Sequence, residues 1–258
     1  MSVTSGIRSV LITGATGSIG SALARIYAKP GVTLFLQGRK ADLLSLVGSQ
    51  CEVSGAQVRT AAFDLREREQ LSRWLENVCA QSVPDLIIVN AGINIHGGAE
   101  NAGENWQDVE ALIEVNIRAA LATVNGILPS MRKRGNGQIA LISSLAAYHG
   151  LPMTPSYCAS KAALKAYGEG LRSWLADENI KVNVVMPGYV KSQMCDDMPG
   201  PKPFLWSPDK AADTIKRGLA ANKARISFPF PLNLGTWFLA VLPAAISQRL
   251  LRLFGYAI

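Results

Sequence analysis

Short apolar runs alternate along the chain with longer stretches in which apolar residues recur every three or four positions. The runs predict strands and the stretches predict helices. Apolar strands separated by helices are typical of a parallel sheet covered on both faces. The pattern therefore predicts an α/β fold with a doubly wound, mostly parallel sheet of about seven strands. The predicted strands are Ser9–Thr13, Val32–Gln37, Gln57–Phe63, Asp85–Asn90, Gln138–Ser143, Lys181–Met186 and Arg225–Phe228, and the predicted helices are Ile19–Ala28, Ala41–Ser49, Glu67–Gln81, Asn105–Arg134, Ser156–Glu178 and Pro208–Asn222.

The chain has room for one domain of this kind and a short C-terminal addition. It contains 258 residues, of which 48% are hydrophobic and 17% are charged, and this composition excludes disordered, collagen-like and coiled-coil proteins. We expect residues 1–228 to form the α/β domain. Residues 229–258 are expected to form an apolar, partly helical appendix that packs on the same domain, on a partner subunit or on a membrane surface.

The end of this appendix has the pattern of a basic amphipathic helix. Ile246, Leu250 and Phe254 fall on one helical stripe, whereas Arg249 and Arg252 can face outwards. Such a helix suits an anionic membrane surface, and it suits a subunit interface or the roof of a pocket equally well. A membrane-spanning helix is disfavoured because prolines interrupt the uncharged stretch before it.

Net charge and cysteine spacing limit the expected partners and the expected cellular compartment. The formal net charge is +7, but the cations are scattered, so nucleic acid is not an expected partner. The four cysteines have neither zinc-site nor disulfide-framework spacing, which indicates a reducing, cytoplasmic compartment. The N-terminus lacks the pattern of a signal peptide. We expect a cytoplasmic protein, with peripheral contact at the inner face of the membrane left open.

A glycine-rich turn, Thr13-Gly14-Ala15-Thr16-Gly17-Ser18-Ile19-Gly20, joins the first predicted strand to the first predicted helix. Glycine permits a tight turn and a close approach of phosphate to the backbone. The free N–H groups and partial positive charge of a helix N-terminus then favour an anion. The turn predicts a pyrophosphate site, and its candidate contacts are Gly14, Thr16, Ser18, Ile19 and Gly20.

The end of the second predicted strand indicates which dinucleotide binds. An acidic residue there would hold a ribose 2′-hydroxyl, but the sequence reads Gln37-Gly38-Arg39-Lys40. Arg39 can form paired hydrogen bonds with a 2′-phosphate and stack on adenine. The sequence therefore predicts NADP(H) rather than NAD(H) as cofactor.

A tyrosine and a lysine are spaced for acid–base chemistry in the helix predicted at residues 156–178. Tyr157 and Lys161 are four positions apart and therefore share a helix face. A nearby ammonium group favours the phenolate and lowers the tyrosine pKa, so the phenol can exchange a proton with a carbonyl or alcohol oxygen. Ser144, at the end of the fifth predicted strand, can bind the same oxygen.

These motifs together resemble the short-chain dehydrogenase/reductase family, in its single-domain branch with a Rossmann fold. The resemblance covers residues 7–228. It rests on the glycine turn, Asp64-Leu65, Asn90-Ala91-Gly92, Asn116, Ser143-Ser144, Tyr157 to Lys161 and Pro187 to Ser192, in the expected order.

The resemblance implies a role for each matching residue. Tyr157 would be the proton donor, Lys161 would lower its pKa and hold the nicotinamide ribose, and Ser144 would orient the substrate oxygen. Asn116 would support a proton relay, with a helix-bending structural role as the alternative. The resemblance also implies a homodimer or homotetramer built on the long helices at 105–134 and 156–178. Further cofactor contacts would come from Asp64, Leu65, Asn90, Ala91, Gly92, Pro187, Gly188, Val190 and Ser192.

One departure from the family pattern keeps a second function open. Ser18 stands where the single-domain branch usually has glycine, and the turn as written also fits a longer branch that modifies nucleotide sugars. We expect an oxidoreductase that moves a hydride between NADP(H) and an apolar or lipid-like carbonyl or secondary alcohol. The apolar segment Lys191–Ser207 is expected to cover the substrate. The alternatives are a nucleotide-sugar epimerase or dehydratase and a non-catalytic, cofactor-binding peripheral membrane protein.

Overall fold

A computed structural model describes residues 6–95, 103–198 and 200–254 of the chain. Its strands are β1 Ser9–Ile12, β2 Thr33–Gly38, β3 Gln57–Ala62, β4 Leu86–Val89, β5 Gly137–Ile142, β6 Ile180–Pro187 and β7 Arg225–Phe228. Its α-helices are α1 Ser18–Tyr27, α2 Ala41–Val53, α3 Arg68–Gln81, α4 Trp106–Ile113, α5 Ala120–Arg134, α6 Pro155–Trp174, α7 Gln193–Asp197, α8 Pro208–Ala220, α9 Leu232–Val241 and α10 Ala244–Leu253.

The seven strands form one parallel sheet in the order β3-β2-β1-β4-β5-β6-β7. In its middle, Leu11 of β1 pairs with Phe35 of β2 and with Ile87 of β4. The prediction of a doubly wound, seven-stranded sheet is confirmed. The chain order reverses between β1 and β4, and a crevice for ligands forms at such a point beyond the carboxyl ends of the strands.

Alternate residues of each central strand support two hydrophobic layers. Val10 and Ile12 of β1 pack towards α1, α2 and α8, whereas Leu11 packs towards α3, α5 and α6. Side chains of a strand alternate between the two faces of a sheet, and both faces are covered here. This burial explains why the central strands are apolar at consecutive positions.

The region predicted as one helix over Asn105–Arg134 contains a local change of winding. The α-helices α4 and α5 are joined by a π-helical turn over Glu114–Ala119, and Asn116 lies within that turn. Single π-turns inside α-helices occur frequently at functional sites. By length and composition alone, Trp106–Arg134 is the one described helical stretch that could cross a membrane, but half of its apolar window is buried in the fold.

The C-terminal segment forms two short helices, of which α9 was not predicted. Helix α9 packs against β7 and a 3₁₀ turn at Leu145–Ala147. The apolar stripe of α10, for which a membrane surface, a subunit interface and a pocket roof are all left open by the sequence, has Ile246 and Phe254 exposed, while Ser247 and Leu251 are buried. Helical periodicity defines which residues share a face, but it does not define which face has a partner. The boundary near residue 228 stays a prediction.

Candidate active site

One cleft of about 1070 Å³ lies beyond the carboxyl ends of the strands and collects most of the residues singled out from the sequence. Gly20 and Asn116 do not line it. The candidates that do are Gly14, Thr16, Ser18, Ile19, Arg39, Asp64, Leu65, Asn90, Ala91, Gly92, Ser144, Tyr157, Lys161, Pro187, Gly188, Val190 and Ser192.

The glycine turn leaves the N-terminus of α1 open towards the cleft. Gly14 has a φ of +64°, and a Cβ on it would lie 2.8 Å from the Cα of Ala91. The Asn90 amide donates to the carbonyls of Thr13 and Gly14 at 3.1 and 3.0 Å, which fixes the turn against β4. The N-cap of α1 is Gly17, which has no side chain to accept from the first-turn amides. These amides, with Ser18 beside them, suit a bound pyrophosphate.

Gly20, expected as a cofactor contact, does not line the cleft and lies where α1 comes closest to the turn. It is buried, and a Cβ on it would lie 2.2 Å from the carbonyl oxygen of Gly14. Because Gly20 carries only a hydrogen at this position, α1 can approach the turn closely.

The end of the cleft nearest β2 carries a buried amide and an exposed cation. The Gln37 side chain accepts from the Gly14 N–H at 3.2 Å and donates to the Phe63 carbonyl at 2.7 Å. Gln37 therefore ties β2 to its two neighbours. Arg39 is exposed at the cleft edge and forms no ion pair with a carboxylate in the described part of the chain. Its guanidinium is thus available to an anionic ligand.

Asp64 is held by an arginine that the sequence reasoning did not single out. The Arg66 guanidinium donates to both Asp64 carboxylate oxygens, at 3.1 and 2.8 Å. This hydrogen bonding, with a smaller contribution from the charge of Arg39, lowers the pKa of Asp64. Asp64 therefore stays ionised, and Arg66 partly neutralises its charge at this end of the cleft.

Tyr157 and Ser144 meet at the opposite end of the cleft. Burial raises the pKa of Tyr157 to about 12, and a hydrogen bond with the Ser144 hydroxyl acts in the opposite direction. The Ser144 Oγ also accepts from the Ala146 N–H at 3.1 Å, which fixes the rotamer of that side chain. At neutral pH the Tyr157 phenol therefore keeps its proton and can donate it.

Lys161 is buried directly behind the tyrosine. Its Nζ donates to the Ile142 carbonyl at 3.0 Å and lies 5.6 Å from the centroid of the Tyr157 ring. Burial lowers the pKa of Lys161 to about 8. The expected lowering of the tyrosine pKa by the lysine is not observed: the pKa of Tyr157 is raised, and burial of the phenol is the largest cause.

Asn116 holds the strand-to-helix connection beside Lys161 rather than facing the cleft. Its side chain accepts from the Ile93 N–H at 2.8 Å and donates to the Ile93 carbonyl at 2.9 Å and to the Ser160 Oγ at 3.0 Å. Its Oδ1 and the Lys161 Nζ both lie within 3.3 Å of the place that a Cβ on Gly92 would occupy. These contacts favour the structural alternative and make Asn116 a positioning residue.

The loop after β6 places its backbone along the cleft. The Gly188 N–H donates to the Phe228 carbonyl at 2.7 Å, which joins the loop to β7. The Ser192 Oγ accepts from the Cys195 N–H at 3.1 Å and donates to the Val190 carbonyl at 3.2 Å, so it caps α7. Ser192 therefore lines the cleft with its hydroxyl already engaged by the backbone.

The end of the cleft beyond Tyr157 is apolar and is closed partly by the C-terminal helices. Trp206, expected to cover the substrate, instead stacks on Phe228 with ring centroids 5.0 Å apart. Many of the residues at this end belong to α9 and α10, and the roof of a pocket is one of the placements that the sequence leaves open for this segment. The apolar residues at this end are Leu151, Met194, Met198, Phe204, Leu232, Phe238, Leu239, Leu250, Leu251 and Phe254.

The sequence matches the short chain dehydrogenase family over residues 8–200. This range contains the glycine turn, helix α6 with Tyr157 and Lys161, and the loop after β6. An uncharacterised oxidoreductase of Myxococcus xanthus (strain DK1622) is 32% identical over 238 residues, which cover 92% of this chain and 93% of that relative. The family assignment thus rests on nearly the whole chain.

Solved structures show the same fold with two different dinucleotides. A short-chain dehydrogenase from Sphingobium yanoikuyae in complex with NADPH has a TM-score of 0.81 at 23% identity, covering 95% of each chain. A short-chain dehydrogenase from Mycobacterium paratuberculosis bound to NAD has a TM-score of 0.74 at 24% identity, covering 85% of this chain and 94% of that one. The fold alone therefore does not select the cofactor. The chain belongs to the short-chain dehydrogenase/reductase family and is an oxidoreductase of that family.

Proposed function

We propose that the protein is an NADP(H)-dependent reductase of apolar or lipid-like carbonyl compounds. The observation that carries the proposal is a single cleft with two distinct ends. One end has an exposed Arg39 and no acid at the end of β2, and the other joins Tyr157, Ser144 and Lys161 to an apolar wall. The first end suits a 2′-phosphate, and the second suits proton transfer to a carbonyl oxygen.

Different residues around the cleft would bind different parts of the cofactor. The amides of the first turn of α1 would bind the pyrophosphate, and Arg39 would bind the 2′-phosphate. Asp64 and Leu65 would contact the adenine, while Asn90 to Gly92 and the loop from Pro187 to Ser192 would contact the nicotinamide half. When bound, NADPH supplies the hydride that reduces the carbonyl carbon.

The side chains at the other end act on the substrate oxygen. The hydroxyls of Ser144 and Tyr157 bind the carbonyl oxygen, which orients the carbonyl and polarises it. Tyr157 transfers its phenolic proton to that oxygen as negative charge develops there. Charged Lys161 stabilises the resulting phenolate, which then regains a proton from solvent. Asn116 holds the backbone of Ile93 beside Lys161 and keeps this geometry fixed.

A panel of carbonyl substrates tests the proposed function directly. With NADPH, we expect turnover of linear ketones and aldehydes, with kcat/KM rising about two- to fourfold for each added methylene until the apolar end is filled. NADPH oxidation at 340 nm measures this, and polar ketoses of matched length are the control. Rates that favour the polar ketoses would contradict the apolar substrate class. Tight binding of a nucleotide diphosphate sugar without net NADPH oxidation would favour the epimerase or dehydratase alternative.

The pH dependence of reduction is expected to follow Lys161. Its pKa, lowered to about 8 by burial, keeps it charged below that pH and neutral above it. The pKa of Tyr157, raised to about 12 by burial, keeps the phenol protonated throughout this range. With saturating NADPH, kcat/KM should therefore fall as the pH rises through about 8. Lys161→Met should have a lower overall rate and should lack this decrease. A wild-type rate that rises above pH 8 would instead mean that the phenolate is the active form of Tyr157.

A further inference from the structure

The two C-terminal helices expose an unusual number of large apolar side chains. Single exposed apolar residues are ordinary on protein surfaces, but a group within consecutive helices marks an interaction site. Their exposed fractions range from 44% for Trp237 to 81% for Leu253. We name this group the C-terminal apolar face, and it consists of Phe230, Leu234, Trp237, Phe238, Val241, Ile246, Leu253 and Phe254.

This face remains exposed because the opposite sides of the helices make the contacts with the domain. In α9, Leu232 and Leu239 line the cleft, while Leu234 and Trp237 do not line it and are 54% and 44% exposed. In α10 the buried residues are Ser247 and Leu251. Both helices are therefore anchored on one side and apolar on the other, the arrangement of a helix that lies in an interface.

The charges carried by the two C-terminal helices themselves are of one sign. The last acidic residue in the sequence is Asp213, and every charged residue after it is a lysine or arginine. Arg249 and Arg252 on α10 are both exposed beside the face. A symmetric contact between two copies would bring these arginines together with no carboxylate from this region to pair them. A surface of anionic headgroups would pair them instead.

The length of α9 is suited to lying on a bilayer rather than crossing it. The helix has 10 residues, which correspond to about 15 Å and to half of a hydrocarbon core of about 30 Å. Trp237 lies at its exposed side, and tryptophan is the side chain that most favours the boundary between headgroups and acyl chains.

The same face borders the mouth of the cleft. Phe238 and Phe254 are each more than half exposed and also line the cleft. Met194 and Phe204, from the segment after β6, are likewise exposed and line it. These four apolar side chains therefore line the way from the surface of α9 and α10 into the apolar end of the cleft.

We propose that the C-terminal apolar face docks onto the surface of an anionic lipid bilayer, with α9 and α10 lying in the interface plane and Arg249 and Arg252 on the headgroups. The mouth of the cleft then opens at the bilayer, and an apolar carbonyl compound enters from the lipid. The docking itself is independent of the reaction, whereas the entry of substrate rests on the function proposed above.

Flotation of the full-length protein with vesicles tests the docking. The probes are vesicles of phosphatidylcholine alone and vesicles with about a third of the lipid as phosphatidylglycerol. We expect the protein to float with the anionic vesicles, with binding weakened severalfold at about 0.5 M salt. Leu234→Ser with Trp237→Ser should weaken binding tenfold or more, and Arg249→Glu with Arg252→Glu should remove the preference for anionic lipid.

The matched control places the same kind of change on another surface helix. Leu46 and Val53 on α2 are 60% and 90% exposed, so Leu46→Ser with Val53→Ser should leave flotation unchanged. NADPH binding by each variant verifies that the fold is intact. Absence of flotation with either lipid, or flotation that survives the α9 double substitution, would overturn the proposal. Sedimentation showing an oligomer that only the α9 substitutions dissociate, without vesicle binding, would assign the face to a second copy of the chain and overturn it equally.

Discussion

Tyr157→Phe is expected to lower kcat for carbonyl reduction by about 10² to 10⁴-fold, the usual contribution of a positioned general acid. The substitution removes the phenolic proton donor and keeps the ring. The raised pKa of Tyr157, about 12 through burial, makes the wild-type side chain a donor across the physiological range. Ser144 can still bind the substrate oxygen, but a serine hydroxyl is a poor acid. The rate of NADPH oxidation with a saturating apolar ketone measures the effect.

A second tyrosine on the same helix provides the control for this prediction. Tyr167 lies ten residues further along α6, outside the cleft lining, and its hydroxyl is 3.5 Å from the Asn125 amide. Tyr167→Phe should leave kcat within about twofold, and both variants should bind NADPH as the wild type does. A Tyr157→Phe variant that retains a tenth or more of wild-type kcat would remove the tyrosine from the role of proton donor.

The sheet could be predicted from the sequence because its interior is almost entirely apolar. Strands such as β1 and β4, covered on both faces, appear as uninterrupted apolar runs, and helical spacing between them leaves few other arrangements. The π-helical turn around Asn116 could not be predicted, because one extra residue in a helical turn leaves no distinct mark in the apolar pattern. The surroundings of the apolar stripe of α10 could not be predicted, because periodicity carries no information about which side finds a partner.

The candidate site was likewise only partly predictable from the sequence. Residues that follow strand ends, such as Asn90 and Ser144, could be placed because the carboxyl ends of parallel strands meet at one edge. What each side chain contacts there depends on tertiary packing. Gln37 was noted only for not being acidic, yet it bonds to the backbone of both neighbouring strands. Arg66, two positions from a predicted contact, holds Asp64 in a way that only the folded chain reveals.

Arg39→Ala is expected to weaken NADPH binding by about ten- to a hundredfold and to leave NADH binding within about twofold. The guanidinium is exposed at the cleft edge, where it can form charge-assisted hydrogen bonds to a 2′-phosphate that NADH lacks. Because the site is exposed, the loss should shrink as salt is added. Titration calorimetry with both dinucleotides measures the two affinities.

A variant of the neighbouring Lys40 tests whether Arg39 acts through a specific contact or only through its charge. Lys40 is exposed beside Arg39 but does not line the cleft. If long-range attraction governs the preference, Lys40→Ala will weaken NADPH binding as much as Arg39→Ala does. If Arg39 binds the 2′-phosphate, Lys40→Ala will change it by no more than about twofold, because a charge that does not contact the ligand is largely screened. Equal losses of NADPH and NADH in Arg39→Ala would instead mean that the arginine acts on the adenine, since both cofactors share that ring, and the NADP(H) assignment would be wrong.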